Sequence, residues 1–271
     1  MESWVDGQPV DVLSLKDRGL AYGDGLFETL AVRNGEPVLL ERHLQRLGLG
    51  CQRLALKVDM IELSAELSTY AQCLGEGVLK LIVTRGDSLR GYAADPSAQA
   101  RRILQGNPPA AYPAAHAEHG VRLFPCTTRL SEQPLLAGLK HLNRLEQVMA
   151  RAEWTDAGYA EGLMQDMSGR VIEGVFSNLF LVRDGVLITA DLSRCGVAGV
   201  MRAELLFQAE SQGIATQITD IHLEQLHQAE EVFICNSVYG VWPVHEYASA
   251  RWSVGPLTRK LQTLARALLD V

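Results

Sequence analysis

Lys140 lies in the run Leu136-Ala137-Gly138-Leu139-Lys140-His141-Leu142-Asn143-Arg144-Leu145-Glu146-Gln147, and its amine is a candidate Schiff-base nucleophile. An ammonium between apolar neighbours such as Leu139 and Leu142 has its charged form disfavoured. That lowers its pKa from a reference of about 10.4 and makes the uncharged amine accessible for imine chemistry. The chain holds five lysines against 20 arginines, so the usual crowd of solubilising lysines is missing and each one carries more information. A lysine laid over apolar surface where a helix begins fits the same run. Glu173 follows 33 residues later, in Gly169-Arg170-Val171-Ile172-Glu173-Gly174-Val175-Phe176-Ser177-Asn178-Leu179-Phe180-Leu181-Val182. An unpaired carboxylate is costly to bury in an apolar strand, so an inward Glu173 needs a buried partner. An outward carboxylate on a half-exposed strand is the other reading.

Further runs extend the pattern. Asp17-Arg18-Gly19-Leu20-Ala21-Tyr22-Gly23-Asp24-Gly25-Leu26-Phe27-Glu28-Thr29 precedes His43-Leu44-Gln45-Arg46-Leu47. Later, Gly196-Val197-Ala198-Gly199-Val200-Met201-Arg202 precedes Glu230-Glu231-Val232-Phe233-Ile234-Cys235-Asn236-Ser237. Arg46, at helical spacing from His43, is a solvated helix arginine or an anion ligand whose planar fork suits a phosphate. Gly196 and Gly199 bracket a turn ahead of a helical run, where backbone N–H groups can approach an anion. With these runs and the two around Lys140 and Glu173, the chain resembles the fold-type IV pyridoxal-phosphate enzymes over essentially its whole length. That group comprises branched-chain aminotransferases, D-amino acid aminotransferases and aminodeoxychorismate lyase.

The resemblance implies pyridoxal 5'-phosphate as cofactor and a two-domain fold of mixed α+β / α/β class, D-amino acid aminotransferase-like. It implies Lys140 and Glu173 as the catalytic pair, with Lys140, Glu173, Arg46, Val200, Met201 and Ser237 touching the cofactor. Glu173 would keep the pyridine nitrogen protonated so that the ring draws electrons from the reacting carbon. Relatives often place a threonine where this chain has Met201, which leaves the phosphate cup to the backbone amides of Val200 and Met201 and the Ser237 hydroxyl. Arg85-Gly86 with Arg90-Gly91-Tyr92, the 138–147 run and Ile234-Cys235-Asn236 are more similar to the lyase branch than to the aminotransferases. Branched-chain enzymes commonly carry a tyrosine a few residues beyond the lysine, where this chain has Asn143-Arg144-Leu145. The implied reaction converts 4-amino-4-deoxychorismate to 4-aminobenzoate and pyruvate in folate biosynthesis. Its substrate carries two carboxylates, for which Arg85, Arg90 and Arg144 are candidates, with Tyr22 and Asn236 as further substrate contacts. Any one of those arginines also fits a surface loop. A homodimer is implied as well, because family members generally build each active site at a subunit interface. Two alternatives stay open: a D-amino acid or branched-chain aminotransferase on the same scaffold, and a non-enzymatic α/β binding protein in which Lys140 and Glu173 are structural.

The elements that must position these residues fall into two lobes. Strands are predicted at 3–5, 26–33 and 38–41, punctuated by Asp6-Gly7 and Asn34-Gly35, the latter a hairpin marker. Helical periodicity covers 44–54 and 61–74, and an apolar strand covers 77–84. The proline-rich stretch 106–115 blocks regular structure and reads as a connection. Beyond residue 120, helices are predicted near 143–156, 201–212 and 258–269, and strands at 161–166, 177–182, 186–189 and 231–235. The resulting division is a smaller N-terminal α+β domain at 1–107, a linker at 108–119 and a larger cofactor-binding C-terminal domain at 120–271.

Composition narrows the function classes. With 271 residues, 47% hydrophobic and 21% charged, the chain can bury a sizeable core. A net charge of -7 and a pI near 5.5 argue against nucleic-acid binding through a basic face. No stretch reaches the roughly 18 uninterrupted apolar residues of a membrane span, and the start lacks a basic, then apolar, leader; a cytoplasmic location is expected. Cys51, Cys73, Cys126, Cys195 and Cys235 lack CxxC spacing and the seven histidines show no ligand-like spacing, so reduced thiols and no metal site are expected.

Overall fold

The computed structural model describes residues 2–10, 12–88, 91–95 and 97–270. Arg90, one of the three substrate-arginine candidates, lies outside the described residues. Two compact units divide the chain. The first takes residues up to Ala110 together with Leu139–Asn143, and the second takes Ala111–Gly138 and Arg144–Asp270.

In the first unit the chain runs β1 (Trp4–Val5), β2 (Gln8–Pro9), α1 (Arg18–Tyr22), β3 (Gly25–Arg33), β4 (Glu36–Pro37), α2 (Leu40–Leu54), α3 (Met60–Leu74), β5 (Gly77–Thr84) and β6 (Arg101–Asn107). Its described strands form one antiparallel sheet in the order β2-β1-β6-β5-β3-β4. Strand alternation turns Leu79, Leu81 and Val83 of β5 to the core beside Leu26, Leu30 and Val32 of β3. The helices cover that face: α2 buries His43, Leu47, Gly50 and Cys51, and α3 buries Leu63, Leu67, Tyr70 and Ala71, each at the three- and four-residue spacing of one stripe. Each fully buried leucine among these contributes about 2 kcal/mol. Asp59 caps α3, accepting from the N–H groups of Ile61 at 2.9 Å and Glu62 at 3.0 Å.

The strand expected at 38–41 is not formed. Leu39 takes a left-handed conformation with φ 55° and α2 starts at Leu40, so the hairpin arm ends after the two residues of β4. That short β4 pairs only with Val32 and Arg33, which leaves the first residues of β3 without a partner on that side. The inserted segment Leu139–Asn143 supplies one: Phe27 N–H donates to the Lys140 carbonyl at 2.9 Å and Leu142 N–H to the Gly25 carbonyl at 3.1 Å. Lys140 is therefore on an extended stretch along a strand, not at a helix start.

The second unit runs α4 (Ala114–His119), β7 (Val121–Leu130), α5 (Leu145–Arg151), β8 (Glu161–Asp166), β9 (Val171–Gly174), β10 (Asn178–Arg183), β11 (Val186–Ala190), α6 (Val200–Ser211), β12 (Thr216–Thr219), α7 (Leu223–His227), β13 (Glu231–Asn236), β14 (Gly240–Tyr247), β15 (Ala250–Arg251) and α8 (Pro256–Leu269). Its strands follow the order β12-β11-β10-β13-β14-β7-β8-β9, with β15 on β14. Strand β9 pairs with both β8 and β10, so the run from β10 to β9 closes on itself, and the closing pair is Glu173 opposite Asn178. Strands β8 and β9 are buried on both faces, which explains their lack of alternation. The helix expected near 143–156 is confined to α5, and part of the expected linker is helical as α4.

Candidate active site

Glu28 on β3, His43 and Arg46 on α2 and Lys140 beside β3 form one cluster in the first unit. On β3, the Glu28 side chain is 2% exposed and accepts from Arg46 Nε at 2.8 Å and from Arg46 Nη2, with His43 Nδ1 at 2.6 Å. Burial alone would raise the Glu28 carboxyl, but Arg46 and His43 outweigh it and hold it down at about 2. His43 is pushed below its ordinary value by burial, with the charges of Arg46 and Lys140 adding to the effect against Glu28, so its imidazole is neutral near pH 7. Lys140 belongs to the same neighbourhood: its Nζ lies 4.3 Å from the centroid of the Phe27 ring. Arg46, expected from its motif to meet a phosphate, thus has its fork aligned by Glu28 from one turn of helix and one strand away.

The substrate candidates of this unit divide. Arg85 is engaged within the protein, with Nε and Nη2 on the two Asp24 oxygens at 2.7 and 3.0 Å and further bonds to the carbonyls of Leu54 and Ala55 at 2.7 and 3.0 Å. Tyr22 is 38% exposed, its ring 5.5 Å from that of Tyr92. Sequence reasoning missed Arg18, which is buried and donates to Asp24 at 2.8 Å, to Ser88 at 3.2 Å and to the carbonyls of Gly91 and Tyr92 at 2.9 Å each. The repeated Asp and Gly of the 17–29 run were its only signal.

In the second unit, the Glu173 residue is 3% exposed and its Oε2 accepts the Val197 N–H at 2.8 Å. Its cross-strand neighbour Asn178 takes the other end of the same residue, Nδ2 donating to the Val197 carbonyl at 2.9 Å. Only glycine fits on either side of that grip. Gly196 has φ +82°, and a Cβ on Gly199 would lie 1.9 Å from Asn178 Oδ1. Gly199 then precedes α6 without a side-chain cap, so the first N–H groups of the helix remain to meet another acceptor. The Val200 and Met201 side chains are buried, which leaves their backbone amides as the groups that can face an anion. Arg202 points away, to Thr189 Oγ1 at 3.3 Å and the Ala190 carbonyl at 2.9 Å.

Arg144 stands at the N-cap position of α5 without a side-chain cap bond and is half-buried; burial lowers its pKa, with Glu173 and Glu146 opposing the shift. It lies within the electrostatic reach of Glu173. Asn236 closes β13 with Oδ1 accepting from Val238 and Tyr239 N–H at 2.9 and 3.0 Å and Nδ2 donating to the Phe176 carbonyl at 3.3 Å, and half-buried Ser237 follows it. Among the described residues no cluster of His, Cys, Asp and Glu has metal-binding geometry, and no helix is long and apolar enough to cross a membrane.

With this geometry in place, the chain belongs to the class IV aminotransferase family, whose description, Amino-transferase class IV, matches residues 25–247. It is similar to the crystal structure of 4-amino-4-deoxychorismate lyase from Pseudomonas aeruginosa, with 62% identity and a TM-score of 0.98 over 99% of this chain and 100% of that one. The aminodeoxychorismate lyase of Vibrio harveyi is 36% identical over 96% of this chain and 97% of its own length. A putative branched-chain-amino-acid aminotransferase of Methanocaldococcus jannaschii is 29% identical, covering 97% of this chain and 94% of that protein. The fold is accordingly the two-part α+β architecture of the fold-type IV enzymes.

Proposed function

We propose that this chain is a cytoplasmic, homodimeric lyase that uses pyridoxal phosphate to convert 4-amino-4-deoxychorismate into 4-aminobenzoate and pyruvate. One observation carries the choice of reaction: the 62% identity with the Pseudomonas aeruginosa lyase along the entire chain, against 29% for the aminotransferase of Methanocaldococcus jannaschii. The residues present fit the cofactor. The glycine turn that a Cβ would fill and the uncapped start of α6 are chemically suited to a phosphate, the Arg46 guanidinium held by Glu28 adds a cation for it, and the buried Glu173 carboxylate is suited to a protonated ring nitrogen. Arg46, the amides of Val200 and Met201 and the Ser237 hydroxyl would hold the phosphate, and Lys140 would hold the aldehyde carbon.

When bound, the cofactor supplies an electron sink for the bond-breaking step. Lys140, with its amine free, would serve as the base that removes the proton from the amine-bearing ring carbon of the substrate. The enolpyruvyl oxygen leaves the adjacent carbon and the ring becomes aromatic, with enolpyruvate going on to pyruvate. Lys140 is also positioned in the sequence of events to return a proton to the departing methylene. Glu173 would set its carboxylate against the ring nitrogen, and Arg144, with Arg90, would answer the two substrate carboxylates. Arg85 contributes by bracing Asp24.

Because elimination leaves the amine on the product, turnover should proceed repeatedly with no keto acid and without build-up of pyridoxamine phosphate. Following the cofactor spectrum during acceptor-free turnover tests this. Strict dependence on an added keto acid would point to the aminotransferase reading.

The homodimer is supported by the outer face of α5, where Leu145 is 75%, Val148 61% and Met149 62% exposed, a concentration of large apolar side chains that a partner would cover. Sedimentation is expected to give twice the chain mass of 29.7 kDa at assay concentration, and a fully active monomer would contradict it. The cytoplasmic assignment is supported by the five cysteines, all of which remain as thiols.

A further inference from the structure

Glu161 begins β8 with none of its surface exposed, and its partners are not cations. Oε1 accepts from the N–H groups of Gly162 at 2.9 Å and Val175 at 3.1 Å, and Oε2 accepts from Phe176 N–H at 3.3 Å and Ser177 Oγ at 2.8 Å. Three of those donors come from the turn at 174–177 that joins β9 to β10, which is closed by Gly174 N–H to the Ser177 carbonyl at 2.7 Å. There is no room to spare beneath it: a Cβ on Gly174 would lie 2.2 Å from Ser177 Oγ and 2.9 Å from Glu161 Oε2. The residues flanking this turn are Glu173 and Asn178, the pair that grips Val197 from both sides.

We propose that Glu161 is a positioning residue for the reaction: its carboxyl group sets the 174–177 turn and thereby aims the Glu173 carboxylate and the Asn178 amide at the glycine turn ahead of α6. The proposal rests on the reading of Glu173 as the partner of the cofactor ring. Deleting the carboxyl leaves the donors of the turn to seek water, and a turn that rotates outward carries both flanking residues with it. Burial outweighs the opposing pull of the four donors and leaves Glu161 raised to about 7. The titratable groups that feel it are Cys126, Tyr112 and Tyr239, each pushed upward by burial first and kept in its neutral form.

Glutamine can reproduce most of this arrangement. Its carbonyl can replace Oε1 toward Gly162 and Val175, while its amide donates to Ser177 Oγ, a hydroxyl that accepts as readily as it donates. The test measures the dissociation constant of pyridoxal phosphate and the pH midpoint of the visible band in the wild type, Glu161→Ala, Glu161→Gln and Ser177→Ala. Glu161→Ala should weaken cofactor binding by roughly tenfold or more and move the midpoint by at least about half a pH unit. Glu161→Gln should stay within about threefold of the wild type and restore the midpoint. Ser177→Ala should cost about threefold, and decides the matter where Glu161→Ala does not fold. Wild-type affinity and midpoint in Glu161→Ala would overturn the proposal, as would a glutamine variant as impaired as the alanine one. A wild-type protein with no lysine-linked visible band would instead remove the cofactor reading beneath it.

Discussion

Lys140→Ala is expected to abolish the borohydride-reducible link to pyridoxal phosphate and to lower turnover by about 10^4-fold or more, because one side chain serves as both nucleophile and base. The other lysines are poorly suited to take over. Lys80 sits on β5 with its ammonium 5.7 Å from the centroid of the same Phe27 ring, farther than Lys140 at 4.3 Å, and Lys16, Lys57 and Lys260 belong to other segments of the chain. Reduction with borohydride followed by peptide mapping checks the assignment. A reducible link that persists in Lys140→Ala, carried by one of those four lysines, would remove Lys140 from its role.

Glu173→Gln should separate binding from chemistry. The amide keeps an acceptor for the Val197 N–H at the position where Glu173 Oε2 now lies 2.8 Å away, so the glycine turn and the phosphate contacts stay in place. What is lost is the negative charge that holds a proton on the ring nitrogen. The visible band of the lysine-linked cofactor is therefore expected to remain while kcat falls on the order of 10^3-fold, the size of effect seen when one preorganised electrostatic group is removed. Glu173→Ala should show the same split with weaker cofactor binding, since it also strands the Val197 amide. Near-normal turnover in either variant would sink the electron-sink role.

Much of the fold was legible because its signals are local. The apolar strand 77–84 and the strand 161–166 agree with β5 and β8 at both ends, and the stripes of α2 and α3 are readable from their three- and four-residue spacing. The misreading around 38–41 came from Leu39, a non-glycine residue in a left-handed conformation that no pattern of side chains announces. The Lys140 segment was misread for a different reason. Its leucines at 139 and 142 fit a helix, but the unpaired start of β3 offers backbone partners that outcompete helix formation, and that opportunity exists only once β4 has ended early.

The candidate site was legible as residue types and not as a wiring diagram. His43 and Arg46 stand one helical turn apart, which is compatible with solvated side chains; their shared attachment to Glu28 requires the packing of α2 on β3. Asn178 and Glu161 carry no chemistry of their own in sequence. Their importance comes from register, Asn178 opposite Glu173 and Glu161 beneath the turn between them. Arg85 shows the converse: a motif arginine expected to meet substrate is spent on Asp24 and two carbonyls because the strand it follows delivers it to the end of α2.

The most direct test of the account is to incubate the purified protein, loaded with pyridoxal phosphate, with 4-amino-4-deoxychorismate in the absence of any keto acid and to quantify both products together. 4-Aminobenzoate and pyruvate are expected to appear in equal amounts over many turnovers. Consumption of one equivalent of substrate per active site followed by arrest, with restart on addition of a keto acid, would contradict it.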